Sequence, residues 1–384
     1  MALTVGIIGL PLSGKTTLFN ALTRAGAQIS GYPTSTVQAN RAVVQVPDER
    51  LDRLAEIFHP RKVVPTTVEF VDVAGLGQAT ETERREGLSA EFIGHIRNAD
   101  ALAVVLRCFD NPQAPHPAGS IDPIRDLDDL MAELAITDLA TVDKRIETTA
   151  RKAKSGDKKL AEELDFLKRL RERLNEGSPA SELTFTAPEE TILKELFLLT
   201  VKPRLYVANV GEDTLAGAAA LLAGEAAPAD SGELAQVAAL RDRARADGAE
   251  LVAVSARLEA ELGELPAEDA AEYLASLDLP PLGADRVIQV GYKTLNLISF
   301  LTAGEDEVRA WTVTRGSKAP TAAGKIHTDF EKGFIRAEVV SYDDLMKDGG
   351  SMKTAREHGH VRLEGKDYVV RDGDIIEFRF NVSK

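Results

Sequence analysis

Short runs of β-branched and apolar residues recur along the first three quarters of the chain, at Val5–Ile8, Ala42–Val46, Val68–Asp72, Ala101–Leu106, Leu205–Asn209 and Leu251–Ser255. Continuous apolar runs of this length, several of them separated by helix-compatible segments, predict an α/β fold whose strands are covered on both faces. Between the fourth and fifth runs the period changes. Leu127, Leu130, Leu134, Ile136, Leu139, Val142 and Ile146 recur at spacings near three and four, as do Leu160, Leu164, Leu167, Leu170 and Leu174. Two charged amphipathic helices are expected there, joined near Ser155-Gly156-Asp157. They read either as an antiparallel hairpin that buries its own seam or as a projection offered to a partner. The Ala-rich stretch Leu215–Ala229 reads as a helix followed by a loop. Beyond residue 284, strands at Val308–Val313, Phe334–Val340 and Ile375–Phe380 sit among glycine-containing turns and predict a small α+β module.

Pro280-Pro281-Leu282-Gly283 punctuates the chain as a linker does, so a domain boundary is expected after residue 283. The expected organisation is an α/β core over 1–125 and 198–283, a helical insertion over 126–197 and a C-terminal domain over 284–384. Charge follows the same division. The chain carries 46 basic and 61 acidic residues, a formal charge of −15, yet the part after residue 283 is balanced at sixteen of each. Such a field repels phosphate backbones, which excludes a general nucleic-acid coat and argues against sequence-specific DNA binding. A length of 384 residues with 44% hydrophobic content supplies two or three real cores and excludes disorder as the main state. The single cysteine, Cys108, cannot form an internal disulfide and reads as a small buried residue in a reducing compartment. The apolar N-terminus lacks a basic leader, and no window approaches the roughly 18 apolar residues of a membrane span, so a cytoplasmic protein without a membrane partner is expected.

The sharpest chemical signal is Gly9-Leu10-Pro11-Leu12-Ser13-Gly14-Lys15-Thr16, which fits GxxxxGK[ST] directly after an apolar strand and before the helix-compatible run from Thr17. The glycines let successive backbone N–H groups face a polyphosphate, Lys15 bridges its outer phosphates, and the Thr16 hydroxyl can ligate Mg²⁺. A second element completes it. The strand Val68–Asp72 ends in Asp72-Val73-Ala74-Gly75, a DxxG in which Asp72 holds Mg²⁺ through water and the Gly75 N–H approaches the γ-phosphate. Thr36 lies where a loop could bring a hydroxyl or carbonyl to the same metal, or else it is an ordinary surface threonine.

The base-reading segment departs from the guanine-specific pattern. A GTPase shows NKxD after its fifth strand, whereas here Leu205–Ala208 leads into Asn209-Val210-Gly211-Glu212. An asparagine amide can still pair with a purine edge, but the two-toothed aspartate that reads guanine is absent, so adenine becomes permissible. Ser255-Ala256, at the end of the sixth strand, reads either as a backbone N–H donor to the base or as a strand-terminal turn.

Together these residues resemble the Obg-like ATPase (YchF) family of translation-factor-class P-loop proteins, over essentially the whole chain. Asn209, Val210 and Glu212 match its Asn-Val-x-Glu hallmark. Phe300–Gly304, Glu307–Thr312 and Ile326–Ile335 look like its TGS signature. The resemblance implies a P-loop NTPase core with an inserted antiparallel hairpin, a β-grasp TGS domain, and ATP preferred to or accepted beside GTP. It further implies association with the ribosome, at the large subunit or the intersubunit region. The expected activity is a slow Mg²⁺-dependent nucleoside triphosphatase acting as a switch. The alternative is a binding module in translation that the nucleotide stabilises without being hydrolysed.

Leu76 matches the family's hydrophobic residue after DxxG, so the water-orienting group must come from elsewhere. The resemblance points to a histidine in the loop after the fourth strand, where His116 follows Arg107-Cys108-Phe109-Asp110-Asn111. A neutral imidazole can orient water near neutral pH. His116 and Gln78 both stand as candidates for that role, each with a plain surface reading beside it, and the expected catalytic set is His116, Lys15 and Gly75. Two departures from the family pattern are visible. Leu12 replaces an asparagine that resembles a monovalent-cation ligand, which puts potassium activation in doubt, and the segment after Leu76 is polar and charged rather than glycine-rich.

Overall fold

The computed structural model describes residues 3–24, 40–73, 90–153, 157–177, 180, 183–225 and 232–381. From the N-terminus, β1 (Thr4–Ile8) leads through the glycine loop into α1 (Lys15–Arg24). β2 (Asn40–Gln45), α2 (Glu49–Phe58), β3 (Lys62–Val64) and β4 (Thr67–Asp72) follow. Next come α3 (Ala90–Asn98), β5 (Ala101–Arg107), α4 (Pro123–Ala153), α5 (Lys158–Asn175) and α6 (Ala187–Leu196). β6 (Arg204–Asn209), α7 (Glu212–Ala223), α8 (Gly232–Asp247), β7 (Glu250–Val254), α9 (Ala256–Leu262), α10 (Ala267–Ser276) and α11 (Gly283–Thr294) complete the first three quarters. The remainder holds β8 (Leu297–Ala303), β9 (Glu307–Thr314), α12 (Ala319–Ile326), α13 (Thr328–Lys332) and β10 (Phe334–Ser341). It ends with α14 (Tyr342–Lys347), α15 (Met352–Glu357), β11 (Arg362–Glu364) and β12 (Asp374–Phe380).

The chain forms two compact units, one of residues 1–43 with 69–291 and one of residues 44–68 with 292–384. In the first, six strands lie in the order β2-β4-β1-β5-β6-β7. The pairs β4–β1, β1–β5, β5–β6 and β6–β7 are all parallel. β5 is buried at every one of its residues, as a strand covered on both faces must be. Strand order reverses across β1, so the carboxyl ends of β1 and β4 open the crevice in which such sheets bind ligands.

The sequence-predicted hairpin is α4 and α5. Val142 packs with Phe166, Leu167, Leu170 and Leu174 in a cluster separate from the main core, so the hairpin does bury a seam of its own. Ile136 does not belong to it and is 63% exposed, because it falls off the three-four spacing of its neighbours. Asp138 fixes the root of the hairpin. Its carboxylate accepts from the backbone N–H groups of Leu199 and Thr200, both at 2.8 Å, and from the Thr200 hydroxyl at 2.7 Å.

The second unit is a mixed sheet ordered β11-β10-β12-β8-β9-β3. β8 and β12 pair in parallel, as do β9 and β3, and the remaining neighbours are antiparallel. Alternation along its strands separates two cores. Ile298 and Phe300 pack with the alanines of α12, while Leu301, Val308 and Ala310 pack with Leu51 and Leu54 of α2.

Two features depart from the sequence reading. The expected boundary after residue 283 is not where the units divide. α11 stays with the first unit because the Glu259 carboxylate accepts the Gly283 and Ala284 N–H groups at its start, and because Gly291 comes so near Phe70 that a Cβ would stand 3.1 Å from the ring. The second difference is the segment 44–68, which lies between two strands of the first sheet in sequence yet builds the second unit. α2 and β3 carry no local sign of this, since their apolar positions satisfy either core.

Candidate active site

The glycine loop is tight where its pattern demands. A Cβ on Gly9 would run into the Val105 carbonyl, and one on Gly14, at φ +94°, would run into the Asn209 amide. Leu12 sits at the tip of the loop with φ 63° and half of its surface exposed, a left-handed conformation that a leucine adopts only at a cost of roughly 1–2 kcal/mol. α1 begins without an acidic residue in its first turn, which leaves its positive end available to an anion.

Three side chains gather at this end of the sheet. Lys15 donates from Nζ to the Leu10 carbonyl at 2.8 Å, and burial pulls its pKa down to about 8 against the opposing charge of Asp72. The Thr16 hydroxyl donates to Asp72 Oδ2 at 3.0 Å. β4 brings Asp72 level with Ile7 of β1, one strand away from the loop. Burial raises the Asp72 carboxyl above its ordinary value, with the Thr16 bond and the Lys15 charge opposing the rise. Asp72 Oδ1 and the Ser13 hydroxyl are buried without a hydrogen-bond partner. A buried carboxylate oxygen on the residue that also holds the Thr16 hydroxyl makes a hard oxygen donor set, so Asp72 and Thr16 fit Mg²⁺. Thr36, Gly75, Leu76 and Gln78 lie outside the described residues.

On the base side, Asn209 is 4% exposed and serves as a brace. Its Nδ2 donates to the Ser13 carbonyl at 2.9 Å, and its Oδ1 accepts the Ala256 N–H at 3.0 Å. The Ala256 N–H, which the sequence offers to the base, is thus given to Asn209, while Ser255 is the buried N-cap of α9. Val210 differs from the expectation more plainly. Its apolar side chain is buried in the main core, and its N–H donates to the Val254 carbonyl at 2.9 Å, so neither group is left to meet a base. Glu212 is exposed at the start of α7 and accepts from the Tyr273 hydroxyl at 3.2 Å. Sequence reasoning missed Glu233, whose Oε2 accepts the Gly211 N–H at 2.8 Å and so holds this segment to α8.

His116 is not among the glycine-loop groups. Its Nδ1 accepts the Ala118 N–H at 3.2 Å, so Nε2 carries the proton and donates to Asp126 Oδ2 at 2.8 Å. Arg125 in turn holds Asp126 Oδ1 at 2.9 Å. The ring lines a cavity of about 440 Å³ together with Cys108, Asn111, Glu233 and Gln236, and no glycine-loop residue borders it. Cys108 is buried, and burial pushes its thiol pKa up, so it is a packing residue as expected.

A family profile described as "50S ribosome-binding GTPase" matches residues 4–152, and one for the C-terminal part of YchF GTPases matches residues 297–381. The ribosome-binding ATPase YchF of Bacillus subtilis (strain 168) is 45% identical over 382 residues, covering the whole of both chains. The chain belongs to the YchF family. Its YchF relative from Escherichia coli O157:H7 is 43% identical over the same span. The solved structure of the Schizosaccharomyces pombe YchF GTPase, 34% identical, superposes with a TM-score of 0.81 over 98% of this chain and 97% of that one. The α/β P-loop core, the inserted hairpin and the β-rich C-terminal unit are therefore a YchF architecture, and the chain is a P-loop nucleotide hydrolase. Among the described residues no helix is long and apolar enough to cross a membrane.

Proposed function

We propose that this chain is a slow Mg²⁺-dependent nucleoside triphosphatase, taking ATP in preference to or beside GTP, that switches between nucleotide states and associates with the ribosome in the cytoplasm. The observation that carries the base preference is the Asn209–Glu212 segment. Val210 is spent on the core, and Glu212 stands exposed where a guanine-reading aspartate would be. The relatives' names, ribosome-binding ATPase, agree with that reading. A contact with the large subunit or the intersubunit region is the expected docking place.

The chemistry divides among few groups. Backbone N–H groups of the glycine loop and the start of α1 bind the phosphates, and Lys15 exchanges its bond to the Leu10 carbonyl for the outer ones. Thr16 and Asp72 would hold Mg²⁺, which when bound neutralises charge on the phosphate oxygens. Asn209 keeps the glycine loop in register with α9. His116 is the water-positioning candidate, and in the described conformation both of its nitrogens are occupied. Intrinsic turnover should therefore be on the order of 10⁻³ s⁻¹ or below, as for unassisted switch NTPases, until a partner frees the ring.

The test is turnover of ATP and GTP with and without ribosomes, for the wild type and His116→Ala. ATP should bind at least as tightly as GTP, and ribosomes should raise turnover. His116→Ala should lower the stimulated rate by roughly 10²-fold while leaving affinity nearly constant. A hundredfold preference for GTP would overturn the base reading. Equal stimulated rates would pass the water-positioning role to Gln78, and absent turnover even with ribosomes would leave the non-hydrolysing binding module.

A further inference from the structure

Far along the chain from the nucleotide site, the second unit carries a cluster that nucleotide chemistry does not use. Asp348 closes α14, and its side chain is only 2% exposed. Each of its carboxylate oxygens meets an imidazole: Oδ1 lies 2.6 Å from His358 Nδ1, and Oδ2 lies 2.7 Å from His360 Nδ1. Among the described residues this is the one group of three metal-ligating side chains whose donor atoms all fall within 4.8 Å of one another.

The backbone holds that convergence in place. Gly349 and Gly350 follow Asp348 with φ of 67° and 78°, a left-handed pair that reverses the chain so that α15 returns towards the carboxylate. His358 and His360 are then anchored by their own N–H groups, which donate to the Thr354 and Ala355 carbonyls of α15 at 2.9 Å each. Between them Gly359, at φ 76°, makes the turn that sends both rings to the same carboxylate. The imidazoles remain 57% and 37% exposed, so the cluster is reached from solvent while its carboxylate is not.

We propose that Asp348, His358 and His360 form a binding site for a zinc-class divalent cation. Two imidazole nitrogens and one carboxylate oxygen are the donor set of late first-row ions such as Zn²⁺ and Co²⁺, whereas Mg²⁺ and Ca²⁺ take oxygen donors. Tetrahedral zinc with bonds of about 2.0–2.2 Å sets its donors roughly 3.4 Å apart, so the 2.6 and 2.7 Å nitrogen–oxygen contacts need open by less than about 1 Å, a shift the exposed imidazoles can make. With each ring in the neutral tautomer that carries its proton on the outward Nε2, the Nδ1 lone pair faces the carboxylate, and the metal takes its place between ring and carboxylate. Three protein ligands leave the solvent side open to water or a fourth ligand. The bound ion would tie the end of α14 to the α15–β11 turn.

The experiment is calorimetric titration of the tag-free full chain with Zn²⁺, in excess Mg²⁺ to keep the oxygen-donor site out of the reading, together with Co²⁺ absorption to report coordination number. The wild type should take one equivalent and give a four-coordinate Co²⁺ spectrum. His358→Gln and His360→Gln should each bind at least about tenfold more weakly, since loss of even an outer partner of a metal ligand costs 10–100-fold. Both residues are exposed enough to be replaced without unfolding, and thermal unfolding without metal checks this. Asp348→Asn should behave likewise. Absence of binding at micromolar Zn²⁺, or equal binding by wild type and both histidine variants, would overturn the site.

Discussion

Lys15 shows how much one buried charge can report. Desolvation holds its ammonium at a pKa of about 8, well below the ordinary 10.5, and a bound triphosphate raises it again by supplying opposite charge. Nucleotide binding must therefore take up a proton once the pH exceeds about 8. Affinity for ATP should be level at lower pH and fall by up to roughly tenfold per unit above it, until the pKa of the bound state is passed. Titration with a fluorescent ATP analogue between neutral pH and the alkaline side checks this, with Lys15→Ala expected to bind weakly and without the slope. A wild-type affinity that stays level would mean that Lys15 does not face the outer phosphates. Asp72 is the counterpart at the same scale, a carboxyl raised by burial whose free oxygen is matched to a cation rather than to a proton donor of the protein.

Elements are joined by single side chains in several places, and Glu259 in α9 is the most consequential. Its carboxylate receives the first two N–H groups of α11, and burial still lifts its pKa from 4.5 to about 7. Between those values the folded protein keeps a proton that the unfolded chain has released. Stability contributed by this group is therefore greatest below about pH 4.5 and is lost as the pH rises to about 7, by on the order of 3 kcal/mol. Glu259→Gln, which is neutral throughout, should unfold in urea with less pH dependence between pH 5 and 8 than the wild type; identical dependence would mean that Glu259 titrates normally. Such links mark the limit of what the sequence makes legible. The P-loop, the Asp72 strand and the α4–α5 hairpin were readable because each is a local pattern with its own period. Glu233, Glu259 and Asp138 act on backbone groups many residues away, and a lone acidic residue in a charged helix has no local sign of that task. His358 and His360 carried no sign in the sequence either, because nothing in their spacing points to Asp348 until the glycine turns bring it back.

For the molecule as a whole, the decisive feature is that the second unit is built from two stretches of chain. Leu51 and Leu54 are almost fully buried against Leu301, Val308 and Ala310, and β3 covers the edge of β9. Residues 284–384 produced alone should then lack a cooperative urea transition, having lost about 2–5 kcal/mol for each buried leucine and exposed a strand edge. Joining residues 44–68 to 292–384 through a glycine-serine linker should restore it, and sharp cooperative unfolding of the short fragment would refute the account. The same discontinuity sets an order in time. During synthesis Val64 emerges roughly 245 residues before Arg309, its partner on β9, so at about 5–20 residues per second α2 waits on the order of tens of seconds with its leucines uncovered. A nascent chain of this protein is thus a client for whatever shields apolar surface near the exit tunnel, until the last quarter of its own sequence arrives to take over.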